Sequence, residues 1–268
     1  DIIDNSGHTL LADYAENFKK SGEYSQESVW EISYSDKNPW YDWGYIQGGE
    51  GNMQPLMQGP RVVSPGVESY ERGWSFATPT QALYDAFEAN DPRRDATILE
   101  QTELNGELDE GYQHTGYFSQ KYTTSKDYTP TSGQLELNWG NNYRSVRFSD
   151  VLLMAAELAV KTGGDAQPYL DRVRSRVGLT PVPATLDNIY KERRVELALE
   201  GHRYWDLLRQ GLNVTEQKVT MNGVRGPLYV GDQVDFNVTF KPATKGFFPI
   251  PQSEIAISNG VLNQNAGY

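Results

Sequence analysis

Glu192, Glu196 and Glu200 follow one another at intervals of four residues, a spacing that lines three carboxylates along one helix face. A row of that kind suits a metal ion or a general acid–base pair. It equally suits a charged face neutralised by Arg193, Arg194 or Arg203, and structural ion networks imitate functional sites in this way. Di-metal centres in helical bundles use a Glu-x-x-His step, whereas His202 follows Glu200 by only two residues. The structural reading is therefore preferred. His8, His114 and His202 lie far apart, and no His-Glu-x-x-His motif occurs. There is no cysteine, which excludes disulfides, a thiolate nucleophile and Cys-based metal sites. With so little His, no metal and no cofactor are expected. No serine sits in a Gly-x-Ser-x-Gly elbow. The "GGEG" of residues 48–51 lacks the Lys-Ser/Thr of a phosphate loop. A carboxylate pair for glycoside hydrolysis would meet in space rather than in sequence, and nothing here positively supports one. An enzyme is not expected.

The other chemistry-bearing stretch is "NPWYDWGYIQGGEGN", residues 38–52. Trp40, Tyr41, Trp43 and Tyr45 crowd into six residues, flanked by Pro39 and by Gly44, Gly48, Gly49 and Gly51. So many helix breakers forbid a regular helix. One reading has the rings filling core beneath a loop, as Trp30 is expected to do from an alternating strand. The preferred reading is ligand contact, because aromatic rings are rigid and amphipathic and are ordered at little entropic cost. The CH-rich face of a sugar lies flat on an indole, and Asp42, Gln47 and Asn52 are placed to bond its hydroxyls. Trp74, just before a helix start, is expected to join the same surface.

The elements that must carry these residues follow from periodicity and punctuation. Residues 8–22 read as a short amphipathic helix ending near Gly22, and residues 28–35 as a strand. Residues 36–77 show no period and read as a long loop, a length that signals function. Residues 78–99 read as a second helix capped by Thr78, broken at "NDPRRD" and followed by a short strand at "ATIL". Residues 101–147 are again irregular and rich in tyrosine. Residues 149–164 read as a helix capped by Ser149 and ended by Gly163, and 165–179 as one capped by Asp165 and ended by Gly178. Residues 185–211 read as one long helix or as two meeting near Gly201. These helices are expected to pack as antiparallel pairs. Residues 212–246 read as a polar hairpin or loop, and 247–268 as an extended Pro-flanked segment with one helical turn.

The chain has 268 residues, with 17 Tyr, 6 Trp and 25 Gly, which suits ordered aromatic loops rather than disorder. Its net charge of -12 and pI near 4.8 disfavour nucleic acid and anionic membrane surfaces. No apolar run is long enough to span a bilayer. A neutral ligand is compatible with this charge.

Five stretches together resemble the SusD/RagB family of outer-membrane nutrient-binding lipoproteins. They are "SQESVWEISYS" (25–35), "TPTQALYDAFEANDPRRDATIL" (78–99), "VRFSDVLLMAAELA" (146–159), "IYKERRVELALEGHRYWDLLRQG" (189–211) and "FFPIPQSEIAISNGVLNQNAGY" (247–268). The resemblance implies a mainly α, SusD-like fold: a helical scaffold with tetratricopeptide-like packing, long irregular aromatic-rich loops and a few short strands. It covers residues 1–268 as one C-terminal domain, since family members are roughly twice as long and begin with helices and a lipidated cysteine that this chain does not carry. It implies non-catalytic binding of oligo- or polysaccharide at the Gram-negative cell surface. The bound glycan would be delivered to a TonB-dependent, SusC-like transporter, with membrane association only through that N-terminal lipid. The alternatives are a peptide-binding member of the RagB type and, further off, a glycoside hydrolase. The family's recognisable residues Glu192, Arg193, Arg194, Glu196, Arg203 and Asp206 are expected to fix helix packing by ion pairs. Ligand residues, lying in variable loops, are read from chemistry alone.

Overall fold

The computed structural model describes residues 1–44, 49–63, 69–105, 108–109, 114–223 and 237–268. They form two compact units, the larger built from residues 1–200 and the smaller from the described residues of 201–268. Tyr45 and Gln47 lie outside the described residues.

In the larger unit, α1 (Ile2–Asn5), α2 (Gln54–Gln58) and α3 (Gln81–Tyr84) are single turns, while α4 (Phe148–Thr162), α5 (Gln167–Arg176) and α6 (Leu186–Glu196) carry the core. Phe148, Leu152, Leu153 and Ala156 of α4 pack with Leu170 and Val173 of α5 and Ile189 of α6. These positions recur at three- and four-residue intervals, so each helix presents one apolar stripe. Gly163 ends α4 at φ 77, a left-handed position that glycine takes without strain. Ser149 is not the cap of α4. It lies buried as the second residue of the helix, after the boundary residue Arg147, and accepts from Arg147 Nη1 at 2.8 Å.

Two short antiparallel ladders join this core. Strand β1 (Ser28–Ile32) pairs with β4 (Tyr143–Arg147), and β2 (Ile98–Glu100) pairs with β3 (Tyr117–Ser119). Strand β1 turns the opposite face inward from the one expected. Val29 packs against the α4 core, and Glu31 accepts from Ser28 Oγ and Asn142 Nδ2, both at 2.6 Å. Alternation then forces Trp30 outward, where it is 62% exposed.

Two expected helices are altered, and a third stretch takes one of its two expected forms. Residues 8–22 form 3-10 turns at Tyr14–Phe18 and Lys20–Gly22, because the Asp13 carboxylate takes the Ala15 N–H and Lys19 is extended. Residues 78–99 yield only α3, capped by Thr80 rather than Thr78, before turns lead into β2. The run 185–211 is two helices: α6 stops at Glu196, and Leu199 (φ 63) and Gly201 (φ 83) turn the chain before α7 (Arg203–Gln210). In the smaller unit α8 (Leu212–Val219) takes the first part of the stretch expected as a hairpin or loop, Met221 and Val238 pair antiparallel beyond it, and α9 (Gln252–Ile257) is the expected terminal turn. Asn213, Val214 and Thr215 are poor helix formers. Packing against α7 and the Thr215 Oγ bond to the Gly211 carbonyl hold α8 in place.

Candidate functional site

The aromatic surface is assembled on α2. Asn52, at 2% exposure, accepts the Gln54 N–H at 2.8 Å where the chain enters this helix, while its Nδ2 donates to the Asn141 carbonyl at 2.7 Å. Asn52 is thus buried with both ends of its amide engaged, one at the start of α2 and one at the Asn141 carbonyl. The chain returns along α2 at residues 73–76. Gly73 N–H donates to the Pro60 carbonyl (2.8 Å), Trp74 to Leu56 (2.8 Å), Ser75 to Gly59 (3.0 Å) and Phe76 to Met57 (2.7 Å). Glycine is required at 73, where a Cβ would lie 2.4 Å from the Gly59 carbonyl.

Trp74, placed by these bonds, meets Trp43. Their ring centroids are 5.6 Å apart and their planes differ by 18°, a stacked pair. Trp43 remains 50% exposed. Phe76 stands edge-on to Trp74 at 6.0 Å and 77°, and is 57% exposed. The sequence reading did not name Phe76. Its signal was the aromatic pair two residues apart in "WSF".

The loop that presents Trp43 is anchored by Trp40. The Trp40 N–H donates to Asn138 Oδ1 at 2.7 Å, and its carbonyl accepts from Asn138 Nδ2 and the Gln134 N–H, both at 2.8 Å. Its indole lies so close to Gly49 that a Cβ there would fall 1.4 Å from Nε1. Trp40 is half-buried, and its main chain anchors the loop. Asp42 accepts the Gly44 N–H at 2.7 Å and closes a local turn next to Trp43. Tyr41 is 70% exposed. Of the eight candidate ligand residues, the structure brings Trp43 and Trp74 together, leaves Tyr41 and Asp42 beside them in the loop, and uses Trp40 and Asn52 as supports.

The glutamate row has a different fate. Glu200 lies beyond the end of α6, yet all three carboxylates are buried and paired, with partners other than Arg193, Arg194 and Arg203. Arg147 forks onto Glu200 (Nε to Oε2 and Nη2 to Oε1, each 2.8 Å) and reaches Glu27 at 2.7 Å and Glu196 at 3.0 Å. Arg176 holds Glu196, Arg93 bridges Glu192 and Glu196, Arg174 holds Glu192, and Lys121 Nζ meets Glu200 at 2.7 Å. Among the remaining motif residues, Arg193 pairs with Asp150 at 2.6 Å and Arg194 donates to the Ala82 carbonyl. In the smaller unit Arg203 opens α7 and Asp206 accepts from Arg209. Burial raises the Glu196 carboxyl, but Arg176, Arg147 and Arg93 outweigh it and hold the group well below the usual carboxylate range. Glu200 is likewise lowered, burial being overcome by Arg147 and Lys121. Burial pushes the Lys121 ammonium down to about 8, against the pull of Glu200. Carboxylates this far lowered and this fully bonded do not serve as proton donors at neutral pH.

Comparison with known proteins places this architecture. A family model for the SusD family matches residues 100–268. SusD-like protein P25 of Formosa agariphila is 29% identical in an alignment 248 positions long, gaps included, that covers 79% of this chain and 45% of that protein. Surface glycan-binding protein A from Bacteroides thetaiotaomicron, solved in complex with laminarihexaose, is 35% identical at a TM-score of 0.84, over 98% of this chain and 57% of that one. A laminarin-binding SusD-like protein is 34% identical at a TM-score of 0.81, over 98% of this chain and 55% of that one. The chain thus spans about half the length of the relatives it matches. With the family match covering more than half of its residues, this chain belongs to the SusD family.

Proposed function

We propose that this chain supplies the glycan-contacting surface of a non-catalytic cell-surface protein. It binds oligo- or polysaccharide and delivers it to a TonB-dependent, SusC-like transporter in the outer membrane of a Gram-negative bacterium. The observation that carries the reading is the stacked Trp43–Trp74 pair, half exposed on an irregular surface segment and pinned from behind by α2. Exposed, backbone-fixed indoles present a flat apolar face to the CH-rich side of a sugar ring, with water-facing polar groups such as Asp42 at the rim. The names of the relatives support it, since one was solved with laminarihexaose and another is called laminarin-binding. Laminarin, a β-1,3-linked glucan, is accordingly the first ligand to test here.

The test is electrophoresis in gels containing laminarin or other polysaccharides, with the wild-type chain beside Trp43→Ala. Retardation of the wild type and free migration of the mutant are expected, with no reducing ends released from the polysaccharide. Equal migration of both proteins in every gel would overturn the assignment of the site. Release of reducing ends would overturn the non-catalytic part. The transporter role is tested separately, by asking whether the protein co-purifies with a SusC-like transporter from outer membranes.

A further inference from the structure

Phe76 is held in the open against two ordinary preferences. A phenylalanine normally gains by burial, yet more than half of this one is exposed. Its neighbours Ser75 and Ala77 both sit at φ 55, left-handed positions that residues with a Cβ rarely adopt. Such outliers persist only where surrounding bonds over-determine them, and they gather at binding sites. Here the surrounding bonds are the N–H donations of Ser75 to Gly59 and of Phe76 to Met57.

The orientation of the ring gives this placement a meaning. Trp43 lies within 18° of the Trp74 plane, and Phe76 is turned 77° from that same plane. The faces offered by Trp43 and by Phe76 therefore cross steeply, at no less than about 60° (77° less 18°). A pyranose stacks with its ring parallel to the aromatic face beneath it. Two sugars resting on Trp43 and on Phe76 cannot be coplanar. A β-1,4-linked glucan is a flat ribbon and can lie along only one of these faces. A β-1,3-linked glucan turns at each linkage and can follow both.

We infer that Phe76 is a specificity-determining residue of the site, the ring that selects glycans whose consecutive sugars turn over glycans that run flat. This rests on the glycan reading of the Trp43–Trp74 pair. The experiment compares wild type, Trp43→Ala and Phe76→Ala on laminarin and on hydroxyethylcellulose, with thermal melts of all three. The wild type is expected to bind laminarin in clear preference to hydroxyethylcellulose. Phe76→Ala is expected to weaken laminarin binding about tenfold, as for a contact anchor, with hydroxyethylcellulose binding and melting temperature unchanged. If Trp43→Ala loses binding while Phe76→Ala keeps the wild-type preference, this inference fails and the glycan reading stands. If Phe76→Ala loses both glycans in equal proportion, the ring merely buttresses Trp74, and the inference fails again. If neither glycan binds the wild type, or Trp43→Ala binds as well as the wild type, both readings fall together.

Discussion

Arg147 and Glu200 form a two-pronged pair, Nε to Oε2 and Nη2 to Oε1, each at 2.8 Å, with both side chains removed from solvent. The fork matches the carboxylate in plane and fixes the end of β4 against the turn that follows α6. Arg147→Ala would strand Glu27, Glu196 and Glu200 with fewer cations in a dry interior. Breaking such a pair from one side costs about 3–5 kcal/mol, or roughly 10 °C in melting temperature for a unit of this size. Arg147→Lys is expected to recover only part of that loss, because an ammonium cannot form the fork. A thermal melt of Arg147→Ala within a degree or two of wild type would show that the network is not structural.

The same network sets an acid limit. The ion pairs hold Glu196 well below, and Glu200 below, its ordinary carboxylate value in the folded state. Their stabilisation is thus fully present above the unfolded value of about 4.3 and is lost as pH falls through the lowered folded values. Denaturant midpoints are expected to fall steadily as pH is taken below about 5. Glu200→Gln, which cannot titrate, should give a lower starting stability and a shallower fall. Parallel curves for the two proteins would assign the acid sensitivity to other carboxylates.

Trp43 and Trp74 are expected to act as a unit. Each ring sets the position of the other, so removing either one damages the stacking face. Calorimetric titration of Trp43→Ala, Trp74→Ala and the double mutant with laminarihexaose should show a loss in the double mutant well short of the sum. The coupling should be about 0.5–1.5 kcal/mol. Without ligand, the stacked indoles should give a far-ultraviolet exciton couplet that Trp43→Phe abolishes. Strictly additive losses, or a couplet unaffected by that substitution, would show the pair to be absent in solution.

Gly73 is where the surface is most easily spoiled from behind. An alanine Cβ would sit 2.4 Å from the backbone of Gly59, with no flexible side chain to yield. Gly73→Ala should destabilise by about 1–3 kcal/mol, as overpacking does, and should weaken glycan binding by displacing Trp74. Gly164→Ala is the control, since its Cβ would meet Ala159 at an ordinary 3.6 Å. Binding by Gly73→Ala equal to that of the control would mean that the return along α2 does not position Trp74.

What was legible in the sequence was whatever repeats or punctuates. The apolar stripes of α4, α5 and α6 and the stop at Gly163 could be read directly. So could the structural nature of the glutamate row, though not its partners. Arg93, Lys121, Arg147, Arg174 and Arg176 reach it from distant parts of the chain, and nothing local marks such a meeting. Alternation correctly gave the two faces of β1 but could not say which turned inward. That depended on Ser28 and Asn142 bonding Glu31 and on Val29 finding the α4 core. At the aromatic surface, residue type singled out the tryptophans, and the structure stacks Trp43 on Trp74. Which rings stay open and which anchor depended on main-chain bonds such as those of Trp40 with Asn138.

The backbone bonds that hold the aromatic surface end on Leu56, Met57, Gly59 and Pro60, and those of its loop on Gln134 and Asn138. None of these six residues is a member of the buried charge network. On the proposed glycan reading, a change at Trp43, Trp74 or Phe76 is expected to alter recognition without drawing on the arginine–glutamate interior. The rings and the ion pairs are carried by separate sets of bonds, so one can be exchanged while the other stands.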